Sequence, residues 1–187
     1  MRARAEDESY EKKSMKAKKE NNLTVVLFTI YVLVLIGVIL FKLPFKQADS
    51  ERAVNLIPFM GSLTEDGFFR LAEVIENVLI FVPFGIYICM IKSNWSYAKM
   101  ILTIIGVTVA FEIIQFIFAM GRTDITDVLG NTLGGIIGIG IYVLLNKILK
   151  NRTDKIINII TLVLTVCVLL FFAFLFFRIR LTLRQPI

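Results

Sequence analysis

The stretch Ile125–Leu145, ITDVLGNTLGGIIGIGIYVLL, decides how the rest of the chain is read. It carries no basic residue and one acid, Asp127, near its start. Its length matches the ~20 residues a helix needs to cross a hydrocarbon core. In lipid a helix is also the economical structure, because it satisfies every backbone group within the segment. Directly upstream lies GRTD, Gly121–Asp124, which adds a second carboxylate. A span that opens with Asp124, Asp127 and Asn131 raises the question of whether its polar front does chemistry or holds helices together.

Working outward, the composition points the same way. The 187 residues are 57% hydrophobic and 19% charged, with mean hydropathy +0.76. A soluble domain of this size has too small a core to hide so much apolar surface. Further apolar runs lie at 23–41, 74–91, 98–120 and 156–177. The expected fold is therefore an all-α integral membrane protein, a bundle of about five transmembrane helices with an outer interfacial or re-entrant segment. Residues 1–22 form a charged tail with seven Lys/Arg and five Asp/Glu, and their interleaving argues against nucleic-acid binding. The first span is followed by Lys42-Leu43-Pro44 rather than small residues, so it reads as a retained anchor. Residues 147–155 read as a basic loop and 178–187 as a basic tail. Cys89 and Cys167 both fall within spans and suggest neither a disulfide framework nor a metal site. Histidine, the commonest general base and metal ligand, is absent from the sequence.

Lys and Arg set the sidedness. Thirteen fall in the N-terminal tail, the 92–99 turn and the 147–155 segment, and eight fall on the other side. The N-terminus is thus expected in the cytoplasm, with a multi-pass chain in the membrane. Arg178, Arg180 and Arg184 then lie outside, against the rule. With this orientation Arg70, Glu73, Glu76 and Asn77 of the second span fall in one outer layer. Glu112 and Gln115 of the third span, and Asp124, Asp127 and Asn131 of the fourth, fall in the same layer. Ionisable groups inside a membrane cost roughly 2.5–3.5 kcal/mol at its centre, so their gathering marks a functional candidate. Asp127, Asn131, Gly134 and Gly138 share one face of the fourth span. Gly130, Gly134 and Gly138 form a small-xxx-small series that admits a close neighbour.

The loop between the first two spans contains NLIPF, Asn55–Phe59, which pure solvent exposure does not favour. It reads as a segment dipping onto the membrane or a lid over the polar layer. Ser62-Leu-Thr-Glu65 is a capping-box pattern that predicts a helix start. Pro83, in FVPFG, is expected to interrupt the backbone ladder of the second span.

Four motifs stand in order: Asn55–Phe59; Asn77-Val-Leu-Ile-Phe-Val-Pro-Phe-Gly85; Glu112-Ile-Ile-Gln115; and Gly121-Arg-Thr-Asp-Ile-Thr-Asp-Val-Leu-Gly-Asn131 followed by Gly134. Together they resemble the VanZ-like family of bacterial membrane proteins, over roughly residues 25 to 146. The resemblance implies a cell-envelope role. The family's founding member is associated with reduced susceptibility to teicoplanin, a lipid-tailed glycopeptide, and the resemblance implies no particular reaction.

Two readings of the polar layer stand side by side. In the first, Glu112, Asp124 and Asp127 act as general acid/base groups or as oxygen ligands for a divalent cation. Arg122 holds a phosphate or carboxylate of the ligand, while Asn77, Gln115, Asn131, Glu76 and Asn55 orient it. The partner is then a membrane lipid, a lipid-linked cell-wall precursor or a lipoglycopeptide antibiotic. In the second, Asp124 is the N-cap of the fourth span with Asp127 at N3, and the amides are interhelical hydrogen bonds. A non-catalytic lipid-binding or scaffolding protein follows from that. Transport ranks last, since the inner halves of the spans are almost wholly apolar.

Overall fold

The computed structural model describes residues 21–39, 54–55, 57–58, 71–118 and 123–182. Helix α1 is described over Asn21–Ile39, and α2 runs Leu71–Ile91. Helix α3 runs Tyr97–Ile117, α4 Ile125–Leu149 and α5 Thr153–Thr182. Two-residue strands, β1 (Val54–Asn55) and β2 (Thr123–Asp124), pair in parallel in the loops ahead of α2 and α4. Apart from that bridge, the regular structure among the described residues is helical. The capping-box segment, Arg70, Arg122, Leu56, Phe59 and both charged tails up to Glu20 and from Leu183 lie outside the described residues.

Four helical runs are long and apolar enough to cross a membrane, and the last covers Ile125–Leu170, 46 residues. At 1.5 Å per residue that run is about 70 Å long, twice what one crossing needs. It is divided at Lys150–Arg152, a single 3-10 turn opening on Lys150 with φ 49°. The segment expected as a basic loop is therefore the end of α4, this turn and the start of α5. The chain is an all-α membrane protein with five span-lengths of helix.

Two compact units are distinguished: Phe28–Lys150, and Met1–Leu27 with Asn151–Ile187. Within the second, Thr24 of α1 and Asn158 of α5 exchange hydrogen bonds of 2.8 and 3.2 Å, both buried. Beyond that point α5 presents Leu162, Val163, Leu164, Leu169 and Leu170 outward. Such an apolar exterior suits lipid and no aqueous surface.

Within Phe28–Lys150 the most extensive contact is α2 against α4, and glycine produces it. A methyl group at Gly134 would strike the Val78 carbonyl oxygen, and one at Gly138 the Val82 carbonyl oxygen. From the other side, a methyl at Gly85 would strike the carbonyl oxygen of Gly135. The two backbones touch directly, which is how helices associate where lipid removes the hydrophobic drive between them. Gly135 instead faces α3, where Ile104 fills the space its missing side chain leaves. Leu35, Phe81, Phe84, Ile88, Cys89, Met100, Ile104 and Ile139 form the apolar core. Helix α2 continues through Pro83. The Tyr31 hydroxyl of α1 donates to the Ile80 carbonyl at 2.7 Å, in the turn where proline interrupts the ladder. Both described cysteines are free thiols, Cys89 buried and Cys167 exposed.

Candidate functional site

The polar groups meet at the end of the unit formed by the start of α2, the end of α3 and the start of α4. Asp124 caps α4: its Oδ1 accepts the Thr126 N–H at 2.9 Å. The same residue lies on β2 opposite Asn55, whose Nδ2 donates to Asp124 Oδ2 at 3.0 Å. Asn55 in turn accepts the Ile57 N–H on its own Oδ1 at 3.2 Å. One carboxylate thus caps a helix and moors the loop ahead of α2. Glu112 of α3, buried at 5% exposure, accepts the Asp124 backbone N–H on Oε2 at 3.1 Å. A carboxylate at that point also opposes the positive end of the α4 dipole.

Asp127, one turn into α4, accepts a hydrogen bond from Asn77 Nδ2 of α2 and lies close enough to Glu112 for the two charges to interact. Asn131, a further turn on, turns to α3 and donates through Nδ2 to Thr108 Oγ1 at 2.8 Å. The expected common face of α4 therefore divides. Asp127, Gly130, Gly134 and Gly138 turn to α2, while Asn131 and Gly135 turn to α3. At 100° per residue, Gly130, Gly134, Asp127 and Gly138 fall within an arc of about 80°, and Asn131 and Gly135 lie beyond one edge of it, toward α3.

Asn131 is 5% exposed, and among the described residues its Oδ1 meets no donor. If the amide is turned over, Thr108 Oγ1 can donate instead and the NH2 group becomes the orphan, so one end of this amide is unpaired either way. Buried polar atoms without a partner are rare in folded proteins, and leaving one costs about 1–3 kcal/mol. Gln115 is also buried, whereas Glu73 is half-buried and Glu76 exposed. Arg122 lies outside the described residues.

As to a metal, no three Asp, Glu, His or Cys side chains among the described residues are arranged to hold one ion. Both oxygens of Asp124 accept hydrogen bonds, from the Thr126 N–H and the Asn55 amide.

A family model described as VanZ/LLP1 matches residues 28–146. The chain belongs to the VanZ/LLP1 family. It is also similar to Protein VanZ of Enterococcus faecium, 37% identical over 150 residues that cover 78% of this chain and 89% of that protein. No solved structure matches. The region shared with the family nearly coincides with the compact unit Phe28–Lys150. It therefore contains the whole polar layer, the glycine seam and the Asn55–Asp124 mooring, and leaves out α5.

Two threonines complete the layer. Thr126 is buried and donates to the Asp124 cap, and Thr108 supplies the acceptor for Asn131. Thr108 lies one turn from Glu112, so helical periodicity is a signal for it. Gly85, which lets α2 reach α4, is flagged only by its place next to Pro83 and Phe84.

Proposed function

We propose that this VanZ-family chain uses the end of the bundle lined by Asn77, Glu112, Asp127 and Asn131 to bind the polar part of an envelope lipid or lipid-linked molecule. The layer faces the extracytoplasmic leaflet of the bacterial cytoplasmic membrane, with the N-terminus inside. The observation that carries this reading is the buried Asn131 amide with one unpaired end, inside a layer of carboxylates that membrane insertion makes costly. A polar ligand group completes that inventory, and the surrounding apolar helix surface suits its hydrocarbon part. Family membership adds the link to teicoplanin susceptibility, because a lipid-tailed glycopeptide and its targets meet at the same leaflet.

The test is purification in native lipid followed by mass spectrometry of what stays bound, for the wild type and Glu112→Gln. Glutamine retains an oxygen to accept the Asp124 N–H, so the fold is spared. The expected result is one envelope species enriched over bulk lipid in the wild type and lost in Glu112→Gln. Bulk lipid alone in both would remove the basis of the proposal. Asp127→Asn separates binding from turnover: an amide oxygen still accepts from Asn77, so retention persists in a binder. A protein that uses Asp127 as a base instead loses product formation and accumulates the bound species.

A further inference from the structure

The opposite end of the same unit carries a second arrangement, unconnected with the polar layer. The turn from α2 to α3 is Lys92-Ser93-Asn94-Trp95-Ser96. Its shape is locally fixed: Lys92 N–H donates to Ile88 O at 2.9 Å, and Trp95 N–H to Lys92 O at 2.9 Å. Ser96 then caps α3, accepting the Lys99 N–H on its hydroxyl at 3.3 Å. The turn brings two ammonium groups to one indole. Lys92 Nζ lies 5.3 Å and Lys99 Nζ 4.3 Å from the centre of the Trp95 ring.

Each cation is attracted to the ring, but the two repel one another, and the start of α3 adds the positive end of a helix dipole. Nothing acidic offsets them locally. The first turn of α3 has no acid, and the sequence has none between Glu76 and Glu112. Among the described residues neither lysine has a carboxylate partner, and no acceptor meets the Trp95 indole N–H. Trp95 itself is half-buried against the apolar core, which holds the indole at the rim of the helices. Beside it, Leu102, three residues on from Lys99, is 68% exposed, and Val109 and Ile113 continue the same side as an exposed apolar track along α3.

The geometry points to a site for an anionic phospholipid at this turn, with Lys92, Lys99 and the indole N–H on the phosphate and the Leu102 side of α3 beneath the acyl chain. Charge complementarity selects the phosphate. The continuity of the cationic turn with an exposed apolar helix selects a lipid over a free anion. The site lies at the opposite end of the unit from Asn131 and does not depend on what the polar layer binds.

Trp95 is the one tryptophan in the chain, so its fluorescence reports on this turn alone. The full chain is reconstituted in phosphatidylcholine bilayers that contain equal mole fractions of brominated phosphatidylglycerol or brominated phosphatidylcholine. Two lysines at a leaflet surface correspond to about tenfold or greater local enrichment of an anionic lipid. Brominated phosphatidylglycerol should therefore quench Trp95 several-fold more, and Lys92→Gln/Lys99→Gln should make the two lipids equal. Equal quenching in the wild type would overturn the site. So would loss of the preference in Lys147→Gln/Lys150→Gln, since that would reveal a diffuse field. Inorganic phosphate added to phosphatidylcholine bilayers should leave the emission where it is. A shift as large as the lipid's would show a free-anion site and overturn the lipid assignment.

Discussion

Asp124 shows how much a single residue can be asked to do in a membrane protein. Its carboxylate caps α4 through Thr126 and moors Asn55, and its own N–H is held by Glu112. Asp124→Ala removes the first two together and leaves the Asn55 amide buried without its acceptor. Capping alone is worth about 0.5–2 kcal/mol, and an orphaned buried amide adds a further ~1–3 kcal/mol. The expected outcome is a large fall in thermal midpoint in detergent. Asp124→Asn should be intermediate, because its oxygen keeps the Thr126 bond while its NH2 faces the NH2 of Asn55. If both variants melt with the wild type, neither the cap nor the mooring stabilises the fold. The cap is legible in the sequence because an N-cap is local: an acid immediately before an apolar run suffices to indicate it. The mooring is not, since Asn55 is 69 residues away and nothing in NLIPF specifies a register with Thr123–Asp124.

At the scale of helices, length and hydropathy mark apolar runs because lipid demands both, and the described residues contain helices of that length and composition. Which helix meets which is harder to read. Gly130, Gly134 and Gly138 announce a close neighbour, but only the structure identifies it as α2, with Gly85 returning the contact. The Thr24–Asn158 pair is equally hidden: each sits near the polar edge of an apolar run, and a polar pair 134 residues apart has no periodicity to betray it. The seam makes a graded prediction. Gly134→Ala and Gly138→Ala place a methyl against backbone carbonyls that cannot swing away, so α2 and α4 must separate. Overpacking of this kind costs about 1–3 kcal/mol, occasionally more. Gly106 and Gly140 have open space where a side chain would go, and alanine there should be neutral or stabilising by roughly 0.5–1 kcal/mol. Thermal unfolding in one detergent ranks all four. Equal midpoints across the set would mean that α2 and α4 are not in backbone contact.

On the scale of the whole unit Phe28–Lys150, its two ends are chemically opposed. One gathers Glu112, Asp124, Asp127 and the amides of Asn55, Asn77 and Asn131. The other holds Lys92 and Lys99 around Trp95, with Lys147 and Lys150 at the far end of α4. The orientation proposed above, from the rule that Lys and Arg remain in the cytoplasm, would have the second end inside and the acidic layer outside. Position 57 is suited to test this, since Ile57 is 59% exposed and its N–H bonds to the moored Asn55 two residues before it. Position 94 is exposed at the tip of the α2–α3 turn. In a Cys167→Ala background, with Cys89 kept because it is buried, a membrane-impermeant maleimide should label Ile57→Cys on intact cells. It should label Asn94→Cys only after permeabilisation. The reverse pattern would put Asn131 and its neighbours at the inner leaflet. A glycopeptide acting outside could not reach them there, and the proposed connection between this layer and teicoplanin would have to be given up.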